Sequence, residues 1–442
     1  MLNIYTKCTE LYLEDAIMLT AAVVGFGDRA EIYSKYALKH PDQLKIVAVT
    51  DPNEVRRSYA KNLFLIDDDK CFSNFDDFVK AGRLADFVIN GTMDGLHIST
   101  TLPLLPLGYD VLLEKPVTSD KAQLLTLAEE AKRYHNKIIV CHVLRYTPFY
   151  RKIKEIIMSG EIGRVRQILT SENVGVAHAS ISYIRGKWNN KEKCGSSYML
   201  AKCSHDADLI CWLNDGTRPQ RVCSMGSRDY FIPENAPEGA GTRCLTDCPL
   251  VDSCPYSAKY LHIINNPMPI TVWSDIPKLP KDVTEEDRIE ALKTNNPNGV
   301  CIFKTDADIV DQQVMAVQFK NGSLGIHTLF SSAMRAGRSI KVYGTAGEIE
   351  GFTEDGAFQV RTYNKFNILY YERTEKITED IRNDNHYGGD SRLMEDCVRV
   401  FSGQKPSIST SGLTQSVYSH LLVYAADESM ETGRFVEIEE LS

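Results

Sequence analysis

The stretch MLAKCSHDADLICWL, from Met199 to Leu213, concentrates side chains that can carry chemistry. Within seven positions it holds Lys202, Cys203, His205, Asp206 and Asp208. Counted as a helix from about Ser197, it places His205 and Asp208 on one face, where Asp208 is more typical of a helix or domain contact. Histidine titrates near neutrality and can take a proton from an alcohol. The stretch therefore predicts a proton-transfer centre. A helix with a polar face is one alternative, and a metal site at Cys203, His205 and Asp208, which would need more ligands, is another.

Lys115 is the second candidate group, in the run Glu114-Lys115-Pro116 that follows the apolar pattern DVLL. Ligands of open α/β sheets bind beyond the carboxyl ends of the strands, so a lysine here can reach a cleft. Its ammonium would stabilise the charge on an oxygen that loses its proton. By itself, the run is equally typical of a surface lysine that pairs with Glu114.

A glycine motif precedes these groups and would position a dinucleotide beside them. The apolar run from Ala21 to Val24 ends at Gly25, Phe26 and Gly27, followed by Asp28, Arg29 and Ala30. In this G-x-G-x-x-A pattern, Gly25 allows a tight turn, Gly27 admits a pyrophosphate, and Ala30 lets the helix pack closely. Asp51 ends the next strand pattern, where a carboxylate accepts the ribose hydroxyls of NAD and repels the extra phosphate of NADP.

Alternating strand and helix patterns extend around this motif. Apolar runs at 84–92 and 109–116 are separated by helix-length segments, including 54–64 and 95–107. This alternation predicts a doubly wound parallel sheet, a Rossmann domain over residues 18–143.

Residues 144–442 show a different pattern, which predicts an α+β domain. Apolar and polar residues alternate on both sides of Asn321-Gly322, a strong hairpin signal. A second hairpin is predicted to turn at Gly344–Gly347, and a helix is predicted at 412–432. Together these patterns indicate a meander of antiparallel strands with helices on one face.

Composition narrows the class of protein. The 442 residues allow two or three domains, and 43% hydrophobic with 25% charged residues is ordinary for a soluble globular chain. A net charge of -9 without a Lys/Arg-rich run argues against nucleic acid as a partner. No apolar stretch approaches the ~20 residues of a membrane helix. Residues 1–17 lack the pattern of a signal peptide, so we predict an N-terminal extension before Met18 and a cytoplasmic protein.

In order and spacing, these motifs resemble the glucose–fructose oxidoreductase / inositol dehydrogenase (Gfo/Idh/MocA) family. The resemblance continues through RYTPFY, SGEIGRVRQI, HDADL, VYGTAGEIEG and HYGGD, and it covers essentially residues 18–437. It implies a second domain whose open, mostly antiparallel sheet covers the nicotinamide and often builds the oligomer interface. It also implies that Glu114 and Lys115 lie beside the cofactor, and that His205 faces the substrate hydroxyl.

The resemblance implies an NAD-dependent oxidoreductase that transfers a hydride between the nicotinamide and a secondary hydroxyl of a sugar, glycoside or cyclitol. His205 would be the acid/base and Lys115 would polarise the oxygen. One alternative is a glycoside-cleaving enzyme that oxidises its substrate, eliminates the aglycone and returns the hydride. The other is a non-catalytic NAD-binding regulator of sugar metabolism. A small carbohydrate partner and a homodimer or homotetramer are expected.

One position departs from many relatives, which carry an aspartate four residues before the histidine. This chain has Ala201 there, followed by Lys202. Either Lys202 or Asp206 supplies the missing polarity, or His205 and Lys115 act as a pair. The side chains expected near the substrate, with structural roles also open for them, are Arg145, Tyr146, Lys202 and His386.

An insert at about 226–300 is rich in proline, asparagine and charge. It contains Cys244, Cys248 and Cys254, spaced C-x3-C-x5-C. Such spacing suggests part of a zinc or iron–sulfur ligand set, with Cys194 or Cys301 as a possible fourth ligand. Reduced cysteines or a local disulfide are the alternative, and no other metal is expected. The insert is predicted to pack over the substrate cleft or at a subunit contact.

Overall fold

The computed structural model describes residues 18–363, 369–378 and 385–440. The extension predicted at residues 1–17 lies outside the described residues. Within the described ranges, no helix is long and apolar enough to cross a membrane. The chain builds two sheets, of six and nine strands, and each sheet belongs to one of the two predicted halves.

The first sheet confirms the doubly wound prediction. Its strands are β1 Leu19–Val24, β2 Leu44–Thr50, β3 Cys71–Phe72, β4 Phe87–Asn90, β5 Asp110–Leu113 and β6 Ile138–Val140. They pair in parallel in the order β3-β2-β1-β4-β5-β6. The helices of this half are α1 Asp28–Ser34, α2 Tyr36–Lys39, α3 Glu54–Phe64, α4 Phe75–Lys80, α5 His97–Thr101 and α6 Lys121–Tyr134.

The helix predicted at 95–107 is interrupted. Its α-helical part, α5, ends at Thr101, and Leu102–Leu107 continues as 3₁₀ turns. Pro103 and Pro106 explain the change, because proline has no N–H to donate to the preceding turn and its ring clashes with an α-helical backbone.

The second sheet is mixed and mostly antiparallel. Its strands are β7 Val165–Gly175, β8 Pro219–Ser227, β9 Gln312–Phe319, β10 Leu324–Ala333, β11 Gly337–Gly344, β12 Gly347–Phe352, β13 Ala357–Tyr363, β14 Tyr370–Lys376 and β15 Val436–Glu437. They pair in the order β14-β13-β12-β11-β7-β10-β9-β8-β15. Only the β7–β10 pair is parallel among the described strands of this sheet. Both predicted hairpins are confirmed, as β9–β10 and β11–β12.

The helices of the second half are α7 Pro148–Met158, α8 Val176–His178, α9 Lys191–Cys194, α10 Tyr198–Leu213, α11 Pro269–Val272, α12 Glu285–Lys293, α13 Gly389–Phe401 and α14 Leu413–Thr432. Of these, α10 and α14 pack against the second sheet. The opening stretch is α10, which begins after Ser197, whose side chain accepts a hydrogen bond from the Leu200 N–H. Nearly every residue of α10 is buried, because the helix lies between the sheet and α14.

The insert lies between the neighbouring strands β8 and β9, over residues 228–311. Its described secondary structure consists of α11, α12 and short 3₁₀ and π turns, with no named strand. Its own hydrophobic cluster is small, and includes Cys244, Val272, Trp273 and Leu292.

The chain returns to the first sheet near its C-terminus. In α13, Leu393, Met394 and Cys397 pack into the core cluster around β1. Beyond that helix, Ser411 accepts a backbone hydrogen bond from Val140 of β6 at 2.9 Å. The first half is therefore completed by residues far outside the predicted 18–143 segment.

Candidate active site

The glycine turn after β1 has the geometry that a pyrophosphate needs. Gly25 has a φ of +79°, and a Cβ there would lie 2.9 Å from the backbone nitrogen of Thr92. A Cβ on Gly27 would have only Gly91 O near it, at 3.9 Å, so this side of the loop is open. Gly91, which the motif does not include, matters as well: a Cβ there would lie 2.7 Å from that of Ala30. Small residues at both places let α1 pack against the end of β4.

Asp51 stands at the end of β2, as predicted. One carboxylate oxygen accepts from the Phe26 N–H at 2.8 Å, and the other accepts from the Asn53 N–H at 2.8 Å. Asp51 thus holds the glycine turn in place. Each oxygen keeps a further lone pair that can accept a ribose hydroxyl.

A cavity of about 210 Å³ lies between the glycine turn and the insert. Gly27, Asp28 and Arg56 line one side, and Ile270 and Trp273 of the insert line the other. The residues present fit a dinucleotide, since the open glycine turn lines a largely apolar cavity and Asp51 holds Phe26 and Asn53 in its wall. The insert therefore lies over the glycine turn, a position that the sequence did not indicate.

Arg29 and Glu114, both predicted to bind the cofactor, are held by contacts with other side chains of the protein. The Arg29 guanidinium donates to Glu114 at 3.2 Å and to both oxygens of Asp390. Tyr33 donates its hydroxyl hydrogen to Glu114 at 2.6 Å. This leaves the backbone of Arg29, rather than its side chain, to face the glycine turn. The second oxygen of Glu114 accepts from the Lys115 N–H at 2.8 Å, so Glu114 positions the lysine backbone.

Lys115 reaches across from β5 to helix α10. Its ammonium donates to the Ala201 carbonyl at 2.7 Å, one helical turn before His205. Burial lowers the pKa of Lys115, while Glu114 and Asp94 act to raise it. The neighbouring turn is fixed by His97, whose ring nitrogens contact the Pro116 and Thr92 carbonyls at 2.6 and 3.1 Å. The structure thus brings together the two predicted catalytic groups.

His205 is almost enclosed, with 6% of the residue exposed. Its Nδ1 is buried and has no hydrogen-bond partner among the described residues, so Nε2 is the nitrogen left to face the cleft. Burial, followed by the charges of Lys115 and Arg338, holds the pKa of His205 well below its usual range. The imidazole is therefore neutral near pH 7 and can accept a proton.

The polar neighbours of His205 on α10 are engaged elsewhere. Asp206 accepts from Arg338 of β11 at 3.0 Å, and Lys202 forms an ion pair with Glu172 of β7 at 3.4 Å. Arg338 also pairs with Glu172, which closes a buried network beside the sheet. Within the described structure, no carboxylate contacts His205. The geometry supports the last of the predicted options, in which His205 works with Lys115.

Ala201→Asp is expected to raise the pKa of His205. A carboxylate at position 201 would lie one helical turn before the imidazole and stabilise its charged form. The acid limb of the pH profile of kcat/KM should then move to higher pH. Ala201→Asn adds a similar volume without charge and is the control. An equal shift in both variants would contradict this electrostatic explanation.

For Arg145 and Tyr146, the sequence left a structural role and substrate binding open, and their contacts favour the structural role. Arg145 is 1% exposed, and its guanidinium donates to both oxygens of Asp208 at 2.6 Å. It also donates to the Gln415 side chain at 2.8 Å. The Tyr146 hydroxyl donates to Asp396 at 3.4 Å. Because these partners belong to α10, α13 and α14, the two side chains fasten helices together behind the cleft.

His386 lies near His205, and His178 lies near Lys202. The ring of His386 lies 6.3 Å from that of His205, and its Nδ1 is 3.1 Å from an Asp390 oxygen. His386 has a φ of +45°, a left-handed conformation that is uncommon outside glycine. His178, at the end of α8, was missed by sequence reasoning. The charge of Lys202 is the main reason that its pKa lies well below the usual range. The sequence signal that could have identified His178 is its position just after the strand pattern of β7.

Comparison with known proteins agrees with this fold. Residues 19–142 match a family model described as an oxidoreductase family with an NAD-binding Rossmann fold, and residues 150–240 match the GFO/IDH/MocA C-terminal domain. The chain is 28% identical over 347 residues to YteT of Bacillus subtilis (strain 168), which covers 75% of each chain. It is 26% identical over 201 residues to an inositol 2-dehydrogenase of Corynebacterium glutamicum, covering 44% of this chain and 54% of that one.

A solved NAD-binding oxidoreductase from Klebsiella pneumoniae has the same fold, with a TM-score of 0.70 over 96% of this chain and all of that one, at 16% identity. The two family models, the two sheets and the glycine turn point to one conclusion. The chain belongs to the Gfo/Idh/MocA family of NAD(P)-binding oxidoreductases.

Proposed function

We propose that the protein transfers a hydride between the nicotinamide and a secondary hydroxyl of a sugar, glycoside or cyclitol. The observation that carries this proposal is the contact between Lys115 and the first turns of α10. It sets an ammonium beside a neutral His205 at the carboxyl end of a Rossmann sheet. Relatives named as xylose and inositol dehydrogenases support the substrate class.

The roles of the two side chains follow from their charge states. A bound nicotinamide supplies the acceptor for the hydride. His205 takes the hydroxyl proton at Nε2, because its neutral form predominates. Lys115 donates a hydrogen bond to the substrate oxygen and stabilises the negative charge that develops there. Lys202 and His386 are proposed to orient the remaining hydroxyls.

To test this, the protein is incubated with the oxidised cofactor and a broad panel of sugars, glycosides and cyclitols. Formation of reduced nicotinamide is measured by its absorbance. Turnover of at least one secondary alcohol is expected. Tight cofactor binding without turnover or conversion of any panel member would contradict the proposal and favour a regulator that senses NAD.

Glycoside cleavage with recycling of the cofactor is the second candidate. Ile270 and Trp273 of the insert form one wall of the cavity and favour this candidate. An insert over the cofactor would slow its exchange with free cofactor, and an enzyme that recycles its bound cofactor does not need that exchange. Release of the aglycone without net formation of reduced cofactor would distinguish this cycle from simple oxidation.

NAD is proposed as the preferred cofactor because of Asp51. A carboxylate at the end of β2 repels the phosphate that NADP carries on the ribose. Arg56 and Lys281, which line the same cavity, are the residues that would oppose this preference. The ratio of kcat/KM for the two cofactors measures the balance, and a ratio in favour of NADP would contradict the assignment.

Ile270→Ala is expected to weaken NAD binding by about 5- to 30-fold, since an aliphatic side chain buried against the ligand is worth about 1–2 kcal/mol. Isothermal titration of NAD measures the effect. Ile270 is 39% exposed, so its truncation does not disturb the core. Ile264→Ala removes the same group from another exposed position of the insert, and equal losses in both variants would contradict a contact with the cofactor.

The protein is also proposed to form a homodimer or homotetramer through its second sheet. Large apolar side chains stand exposed on adjacent strands, with Met225 directly opposite Val314 and Phe330 further along β10. Exposed apolar patches of this kind mark association surfaces. Light scattering should give a mass of two or four chains, and a monomer would contradict the proposal.

A further inference from the structure

Four cysteines converge on one small cavity inside the insert. Cys244, Cys248, Cys254 and Cys301 all line it, and its volume is about 20 Å³. Cys194, the other fourth member suggested by the sequence, does not line it and donates to the Ser196 carbonyl. The cavity therefore joins the C-x3-C-x5-C motif to a residue about fifty positions further along the chain.

Backbone contacts hold these cysteines in place. The Cys244 N–H donates to Gly299 O at 2.9 Å, and the Cys301 N–H donates to Thr242 O at 2.8 Å. This short antiparallel bridge sets Cys244 beside Cys301. The turn between Cys244 and Cys248 is fixed by Asp247, whose carboxylate accepts from the Thr242 and Arg243 N–H groups. The thiols are thus arranged on a defined backbone, and each is a free cysteine.

Arg185 gives an independent indication that a negatively charged group belongs in this cavity. It lines the cavity, is 1% exposed, and has one guanidinium nitrogen 3.8 Å from Cys244 Sγ. Its other hydrogen bonds go to the Val300 and Tyr256 carbonyls and the Ser180 hydroxyl. No carboxylate among the described residues forms an ion pair with it. Burying a cation without an anion is costly, whereas thiolates bound to a metal would supply the missing negative charge.

The distances between the sulfur atoms help to distinguish a single zinc ion from a larger metal centre. A tetrahedral zinc ion with Zn–S bonds of about 2.3 Å would hold its sulfurs roughly 3.8 Å apart. Among the described residues, the only group with three metal-ligating atoms within 4.8 Å of one another is Cys203, Asp206 and His327. The four cysteines of the cavity are therefore spaced more widely than a single zinc ion requires.

We propose that Cys244, Cys248, Cys254 and Cys301 bind an iron–sulfur cluster that fastens the insert. Iron–sulfur clusters are held by four cysteine thiolates around an inorganic core, which suits the wider spacing. The insert has a small hydrophobic cluster of its own and no disulfide in its described residues, and small units of this kind commonly depend on a metal. The cluster would hold the wall of the cofactor cavity in place.

Metal and sulfide analysis of the full chain, purified without oxygen, tests the proposal directly. We expect about four irons and four inorganic sulfides per chain, with broad visible absorption that dithionite bleaches. One zinc per chain without iron would overturn the cluster assignment. Fewer than roughly 0.3 iron or zinc atoms per chain would overturn any metal centre here.

Cys248→Ser tests the ligands and is expected to lose most of the bound iron. Its insert should also become sensitive to limited proteolysis within residues 228–311. Cys223→Ser, at a similarly half-buried cysteine on β8, is the matched control and should keep both the iron and the protection. Equal iron content in the two variants would overturn the assignment of Cys248. The analysis of the unaltered chain decides the proposal even if the variant fails to fold.

Discussion

Replacing Lys115 with alanine is expected to lower kcat by about 10²- to 10³-fold, the usual cost of removing one donor to a developing oxyanion. The dissociation constant of NAD should stay nearly unchanged, because in our proposal the cofactor is held by the glycine turn and Asp51 rather than by this lysine. Single-turnover kinetics with a substrate from the panel measure the first quantity, and titration of NAD measures the second.

Lys202→Ala is the matched control for the lysine variant. Lys202 lies on α10 near the same cleft, but its ammonium pairs with Glu172. We expect this variant to raise KM while kcat falls much less than it does in Lys115→Ala. Unchanged turnover in Lys115→Ala would remove the lysine from the reaction.

Replacing His205 with asparagine is expected to lower kcat by about 10²- to 10⁴-fold, the range typical of lost general acid–base catalysis. Only the neutral imidazole accepts a proton, so activity of the unaltered enzyme should fall as the pH drops through the His205 pKa. Because burial and Lys115 depress that pKa, this acid limb should lie below pH ~6.5, the usual histidine value.

The pH profile separates this role from a structural one. In His205→Asn the acid limb should disappear, since no group with that pKa remains in the reaction. His386→Asn removes the ring that lies 6.3 Å from that of His205 and should retain the limb. An acid limb that persists unchanged in His205→Asn would assign proton transfer to another group.

The sequence was sufficient for elements whose pattern is local. The glycine turn, the end of β2 at Asp51 and the start of α10 after Ser197 depend on residues that are near neighbours in the chain. Both hairpins likewise followed from a turn signal with alternating residues on either side. Periodicity predicts such features because neighbouring residues determine them.

Contacts between distant segments explain what could not be predicted. In the sequence, Arg145 and Arg29 cannot be told apart from arginines that bind a ligand. Only the fold shows that Asp208 and Asp390 pair with them. The sequence left Cys194 and Cys301 open as the fourth cysteine, and only the bridge between residues 243 and 300 places Cys301 beside the others. A single sequence does not indicate which side chains will contact each other when they are fifty to several hundred residues apart.

The return of the chain to the first sheet has a consequence for biosynthesis. Proteins emerge from the ribosome N-terminus first, and early domains usually fold as soon as they are complete. Here the core around β1 needs Leu393 and Met394, and the edge strand β6 pairs with Ser411. The nucleotide-binding half is synthesised first, but its core can therefore be completed only after nearly the whole polypeptide has been made. Nascent chains that stop short of α13 should leave that hydrophobic surface uncovered and available to chaperones.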